Sequence, residues 1–146
     1  DVYKRQAQTR SMSLANGAFV RELCDSRTFC RMADVDAMRA AGLALGGSLS
    51  NAVVVDGNQV LTPGGFRHSD EPVRHKMLDA VGDLALAGAP IIGRYVGDRS
   101  GHSMTNTLLR ALFSDPSNFV IEKCSRELSD RLPGAHISIE DLRLVA

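Results

Sequence analysis

The sequence predicts an α+β fold, a two-layer sandwich in which helices cover a small mixed sheet. Three observations predict it. Glu71–Leu84 is a capped stretch with apolar residues at helical spacing. Asn51–Leu61 holds a β-branched run, a tight-turn signal and a return run. Between and around them, strand-like and helix-like segments alternate through short loops, without repeats or low-complexity sequence. A chain of 146 residues suffices for one domain with a real core.

The elements follow in order. Asp1–Gln6 has no periodicity and no initiator Met, so residues 1–7 are expected to be a severed linker or sequence-end artefact of a fragment. Arg10–Leu14 alternates weakly, as a short strand would. Asn16, an N-cap type, opens a helix over Gly17–Cys24 with Phe19, Val20 and Leu23 inward. Arg27–Cys30 is extended. Asp34–Ala41 is a short helix stopped by Gly42, and Leu43–Ser48 turns apolar and then glycine-rich. Asn51–Val55 is the clearest strand, Asp56-Gly57 signals a hairpin, and Gln59–Leu61 returns. Ser69 and Asp70 suit the N-cap of the central helix, Glu71 suits its dipole, and Pro72 falls in the first turn. Val73, Met77, Val81 and Leu84 form its apolar stripe, and Gly88 and Pro90 mark the stop. Ile91–Val96 reads as an internal strand and Gly97–His102 as a loop. Thr105–Phe113 reads as a helix with Leu108, Leu109 and Leu112 on one face. In the tail, Phe119–Ile121 and His136–Ile139 are strand candidates.

Composition excludes some classes of function. Seventeen Lys and Arg balance seventeen Asp and Glu, which argues against a nucleic-acid surface or a polybasic membrane surface. No apolar run reaches the roughly 18 residues of a transmembrane helix, and the N-terminus lacks the apolar segment of a signal peptide. Cys24, Cys30 and Cys124 have no ligand spacing and read as reduced thiols of a cytoplasmic protein, with Cys24 and Cys124 as packing residues.

His75 and Asp79 are four apart and project from one helix face. Asp83 continues the row, rotated roughly 80° from His75. An imidazole and a carboxylate on adjacent turns can close on one divalent metal, with zinc the first candidate, and a further carboxylate can orient a ligand or a catalytic histidine. A lone His-x-x-x-Asp pair is also what a solvated helix face produces by chance, and catalytic zinc wants three protein ligands. By themselves His102 is a solvated loop histidine, Lys76 a surface lysine, and Thr28 and Phe29 a strand end and a core aromatic. His68 reads as surface, and Arg74 as solvated or an ion-pair partner.

The run Val73–Leu84, followed by Ile91-Ile92-Gly93 and Ser100-Gly101-His102, resembles UDP-3-O-acyl-N-acetylglucosamine deacetylase. Arg27-Thr28-Phe29, Gly46-Gly47-Ser48 and the Asn51–Asp56 strand fit the same family in the same order. The resemblance covers roughly residues 8–113. It implies a zinc amidohydrolase of lipid A synthesis in Gram-negative bacteria, built of two domains with the active site between them. This chain would be most of the second domain, residues 8–116, incomplete at its opening strands, with a strand–helix–strand insertion at about 31–58 that makes a passage for the acyl chain. Residues 117–146 would be a tail. The first domain, with the general-base glutamate and the third zinc ligand, would be the missing partner.

Residue by residue, the resemblance makes His75 and Asp79 zinc ligands. It makes Lys76 a catalytic and substrate-binding lysine, His102 the catalytic histidine and Asp83 its partner. Thr28 becomes the hydroxyl beside the zinc site and Phe29 the aromatic that meets the sugar. Cys30-Arg31 departs from the small and aromatic residues expected there. The Leu43, Leu45 and Leu49 region would wall the acyl groove. The implied cofactor is Zn2+, and the implied reaction is hydrolysis of the N-acetyl group to acetate and free amine. The alternative is a non-catalytic remnant that binds a nucleotide-sugar or acyl lipid.

Overall fold

The computed structural model describes residues 7–143, so residues 1–6 of the expected linker lie outside the described residues. In chain order the elements are helix α1 (Ala18–Glu22), strand β1 (Thr28–Arg31), helix α2 (Met32–Ala40), strands β2 (Ala52–Asp56) and β3 (Gln59–Val60), and helices α3 (Glu71–Leu84), α4 (His102–Phe113), α5 (Arg126–Ser129) and α6 (Ile139–Arg143). This is an α+β fold with a three-stranded mixed sheet in the order β1-β2-β3. The described chain forms two compact units, one of residues 7–11 and 25–75 and one of residues 12–24 and 76–143. Helix α3 contributes Glu71–His75 to the first and Lys76–Leu84 to the second.

In the first unit, β2 is the centre. Val53, Val54 and Val55 are all buried, as a strand covered on both faces requires. β1 pairs with it in parallel, Thr28 opposite Ala52 and Arg31 opposite Val55. The connection between them is α2, so β1, α2 and β2 form a strand–helix–strand unit, with α2 packed on both strands. α2 starts two residues before the expected Asp34, because the Arg31 guanidinium grips the Asp34 carboxylate at 2.7 and 2.9 Å across the first turn. It ends where Gly42 (φ 72°) lets its own N–H reach Arg39 O and the Leu43 N–H reach Met38 O, a Schellman closure.

On its other side β2 meets only the two residues of β3, antiparallel across a turn with Gly57 at φ 54°. Past β3, Leu61 N–H still donates to Val54 O at 2.8 Å, and a side chain completes what remains. Buried Thr62 accepts from Val54 N–H at 2.8 Å and donates to Ala52 O at 2.9 Å through one hydroxyl. It thereby satisfies backbone groups that a longer β3 would have paired.

The second unit is helical. Gly17, Val20, Leu23, Ala80, Thr105 and Leu109 are its buried residues. α1 has Gly17 at its N-cap, not Asn16; both have positive φ, 69° and 58°. α6 lies against α1, with Arg21 bonded to Asp141 at 3.0 Å. α4 begins at His102, three residues before the expected Thr105. Extended Gly101 caps it, so His102 opens a helix rather than sitting in a loop. On α4, Thr105 and Leu109 are buried and Leu108 is exposed, so the inward face is rotated from the expected leucine stripe.

Four expected strands are absent among the described residues: Arg10–Leu14, Ile91–Val96, Phe119–Ile121 and His136–Ile139. Each run has strand composition, but a strand also needs a partner ladder, and the described sheet offers these runs none. Ile91, Ile92 and Val96 are exposed rather than internal. Ser138 takes another role. It accepts from Asp141 N–H while Asp141 accepts from Ser138 N–H, a reciprocal cap that makes Ile139 the start of α6. Cys124 is exposed, not a packing residue, and no cysteine is in a disulfide among the described residues.

Candidate functional site

α3 runs over Glu71–Leu84, as the sequence predicts. Its buried positions differ from expectation. Glu71, Pro72 and Ala80 are buried, whereas Val73, Met77, Val81 and Leu84 are half-buried. Glu71 is not a surface charge serving the helix dipole. Its side chain is wholly buried and accepts four hydrogen bonds: from Arg27 N–H (3.0 Å), Arg27 Nε (2.9 Å), Arg27 Nη2 (3.1 Å) and Arg67 N–H (2.7 Å). Burial works against its charge, but the Arg27 fork and the two amides overcome this and hold the carboxyl below the usual range. Arg27 Nη2 also donates to Gly65 O at 2.7 Å.

One turn after Glu71 stands His75. Its Nδ1 lies 3.0 Å from Ser26 O. A carbonyl only accepts, so Nδ1 carries the proton and the ring's lone pair sits on Nε2. Phe29 meets the imidazole edge to face, centroids 6.2 Å apart. The hydroxyl of Ser26 is buried and lacks a hydrogen-bond partner among the described residues. His68 is half-buried rather than surface-exposed. Its Nε2 is 2.9 Å from the Asp25 carboxylate, and the Arg67 guanidinium donates to Asp25 O. Arg74 pairs with Asp70 at 2.7 Å, one of the two roles read from sequence.

Thr28 and Phe29 also line an apolar cavity of about 420 Å3 in the first unit, with Cys30, Met32, Val35, Met38, Leu49 and Val54. Of the leucines expected to wall a groove, only Leu49 does so. Leu43 and Leu45 follow the helix-closing glycine and are exposed. Cys30 stands in the lining, and burial, aided by the Asp34 charge, pushes its thiol pKa up.

In the second unit, Asp83 and His102 come together. His102 Nδ1 is 2.9 and 3.0 Å from the two Asp83 oxygens. The histidine is 71% exposed and the aspartate 14%, so an accessible imidazole rests on a sheltered carboxylate. The hydrogen bond to Asp83, then its charge and that of Asp79, raise the His102 pKa; desolvation and Lys76 oppose this more weakly. Lys76, Asp79 and Asp83 lie on successive turns of α3. Among the described residues, no three His, Cys, Asp or Glu side chains converge closely enough to hold a metal ion.

Sequence reasoning missed the buried Glu71 carboxylate held by Arg27 and the Arg67 amide, and the Ser26 carbonyl as the partner of His75. No local pattern announces the Arg27–Glu71 and Ser26–His75 contacts, 44 and 49 residues apart.

Comparison with known proteins assigns the chain to a family. Residues 2–114 match the model of the family LpxC, UDP-3-O-acyl N-acetylglycosamine deacetylase. The chain is 46% identical over 123 residues to UDP-3-O-acyl-N-acetylglucosamine deacetylase of Phenylobacterium zucineum, covering 84% of this chain and 42% of that protein. It is 44% identical over 134 residues to the enzyme of the same name in Neisseria meningitidis serogroup A, covering 92% and 43%. With that of an Anaeromyxobacter species it shares 48% over 109 residues, covering 75% and 36%. The chain belongs to the UDP-3-O-acyl N-acetylglycosamine deacetylase family. It spans about two fifths of the length of the relatives it matches.

Proposed function

We propose that this chain is the second-domain part of a zinc-dependent cytoplasmic deacetylase that hydrolyses the N-acetyl group of UDP-3-O-acyl-N-acetylglucosamine to acetate and free amine in lipid A biosynthesis. The observation that carries the reading is the row His75, Asp79, Asp83 on α3, with His102 hydrogen-bonded to its last member. The family membership supports the substrate class. No helix among the described residues is long and apolar enough to cross a membrane.

The donor chemistry fits zinc. With Nδ1–H held by Ser26 O, the His75 tautomer has its lone pair on Nε2, the atom through which it would ligate a metal, and Asp79 carries a carboxylate one turn on. When bound, zinc supplies a Lewis acid and a water of lowered pKa. The remaining roles belong to this chain's side chains. His102, whose imidazolium form the Asp83 hydrogen bond favours, donates a proton to the leaving amine or faces the developing oxyanion. Lys76 adds positive charge, and the Thr28 hydroxyl adds a donor. Phe29 meets the sugar, and the cavity behind it, part of the insertion at about 31–58, takes the acyl chain.

The third ligand and the general-base glutamate belong, in this reading, to a first domain of the family outside this sequence, so the chain alone is inactive. The test joins the chain to a family first domain and measures acetate release. His75→Ala and His102→Ala should each remove most turnover, and unchanged turnover in His75→Ala would overturn the assignment.

A second reading is a non-catalytic module for a nucleotide-sugar or acyl lipid. It is favoured by the lack of any three-residue metal cluster among the described residues. Zinc titration of the chain alone separates the two. Weak but His75-dependent binding supports the first reading, and binding that ignores His75→Ala supports the second.

A further inference from the structure

We propose that Glu71 is a positioning residue for His75, fixing the tautomer that presents Nε2 to a metal. The inference rests on the zinc reading above for its purpose, but its geometry stands alone. Glu71 and His75 are four apart on α3, so their side chains leave the same face of the first two turns. Ser26 and Arg27 are consecutive. Arg27 is bound to the Glu71 carboxylate through its backbone N–H and twice through its guanidinium, and Ser26 O receives His75 Nδ1–H.

The chain thus closes a small ring: helix α3 from Glu71 to His75, the imidazole to Ser26 O, the Ser26–Arg27 peptide, and Arg27 back to Glu71. The peptide between Ser26 and Arg27 has its carbonyl on the histidine and its N–H on the glutamate, so anchoring one end aims the other. Arg67 N–H closes the fourth acceptor site of the carboxylate, and the Arg27 guanidinium is itself tied to Gly65 O. The carboxylate has no exposure, so no water can replace a lost bond without rearrangement.

An unanchored imidazole divides between two tautomers of similar energy, and only one leaves the Nε2 lone pair for a metal. Partners that hold a ligating histidine in one tautomer and orientation typically change metal affinity by about 10–100-fold when removed. Here that partner is a backbone carbonyl, which a side-chain substitution cannot delete. The anchor behind it is the element that mutation can reach.

The test reads the His75 ring nitrogens by 15N NMR in the metal-free chain at a pH where the ring is neutral, and the zinc Kd by chelator competition. The unmodified chain should show the Nδ1–H tautomer, and an Nε2–H tautomer overturns the proposal outright. Glu71→Gln places an amide NH2 against the donors of Arg27 and Arg67. It should yield a tautomer mixture and a zinc Kd about 10–100-fold weaker.

Leu109→Ala, a core truncation on helix α4 in the second unit, should move neither readout. If it moves both as much, the effect is general loosening and the proposal fails. Should Glu71→Gln not fold, Arg27→Lys keeps a cation for Glu71 but loses the fork. It should give a smaller change of the same sign, and an unaltered tautomer in either folded variant overturns the proposal. Absence of zinc binding by the unmodified chain counts against the zinc reading alone, because the tautomer measurement decides the role of Glu71 in either case.

Discussion

Thr62→Val replaces a buried hydroxyl by a methyl of nearly the same shape, and its cost can be worked from two hydrogen bonds. The hydroxyl accepts from Val54 N–H and donates to Ala52 O, and the residue is buried. Removing it orphans one backbone donor and one backbone acceptor on the most buried strand of the sheet. Each orphan costs about 1–3 kcal/mol, and the added methyl returns about 0.8 kcal/mol. The expected net loss is about 1–5 kcal/mol. Thr62→Ser keeps the hydroxyl and should lose only about 1 kcal/mol, for one missing methyl.

The assay is urea denaturation followed by circular dichroism, comparing midpoints at constant slope. Ser26→Ala is the control of opposite sign. It deletes a buried hydroxyl that lacks a partner among the described residues, and it leaves the Ser26 carbonyl in place for His75. That change should be neutral or stabilising. Thr62→Val within about 0.5 kcal/mol of the parent would refute the claim that a side chain completes the ladder of β2.

Three further outcomes are expected. Asp83→Asn should lower the His102 pKa in an NMR titration, since the Asp83 hydrogen bond is the largest cause of its elevation. In the parent, this pairing contributes stability that is full below the unfolded histidine pKa and lost as pH rises through the folded one; an unshifted titration would refute it. Asp141, held at about 2 by Ser138 and Arg21, should contribute stability present above its unfolded value and lost as pH falls towards about 2. Ser138→Ala should weaken that acid limb in a pH-dependent melt. Cys124 should react with a thiol reagent well before Cys30, whose thiol is both sheltered and raised in pKa. A fatty acid that fills the cavity should slow Cys30 further and leave Cys124 unchanged; equal rates would contradict the cavity's placement.

The parts of the fold that were legible in the sequence are those whose signals are local. α3 keeps its expected limits because its first-turn proline and its apolar spacing lie within its own stretch. β2 and its hairpin follow from a β-branched run beside a glycine turn. Ile91–Val96 failed because strand composition says nothing about whether a partner edge exists. His136–Ile139 failed because the Ser138 to Asp141 cap, itself readable as a helix start, outranked two isoleucines. At the candidate site, the helical row and the closeness of Asp83 and His102 could be anticipated from spacing and resemblance. The Glu71 network could not, since a glutamate behind an N-cap normally faces solvent and its burial is decided by Arg27, 44 residues away.

Gly17 ties the last helix to the first. A methyl group built there would stand about 3.0 Å from Ile137 Cγ1 and from the Arg21 guanidinium, in a residue already at φ 69°. Ile137 and α6 lie beyond residue 114, where the family match stops. Shortening the chain to the matched segment would therefore remove the Ile137 contact at Gly17 but not its torsion. The difference in cost of Gly17→Ala between the long and short forms is a methyl-sized gauge of how firmly the tail is seated.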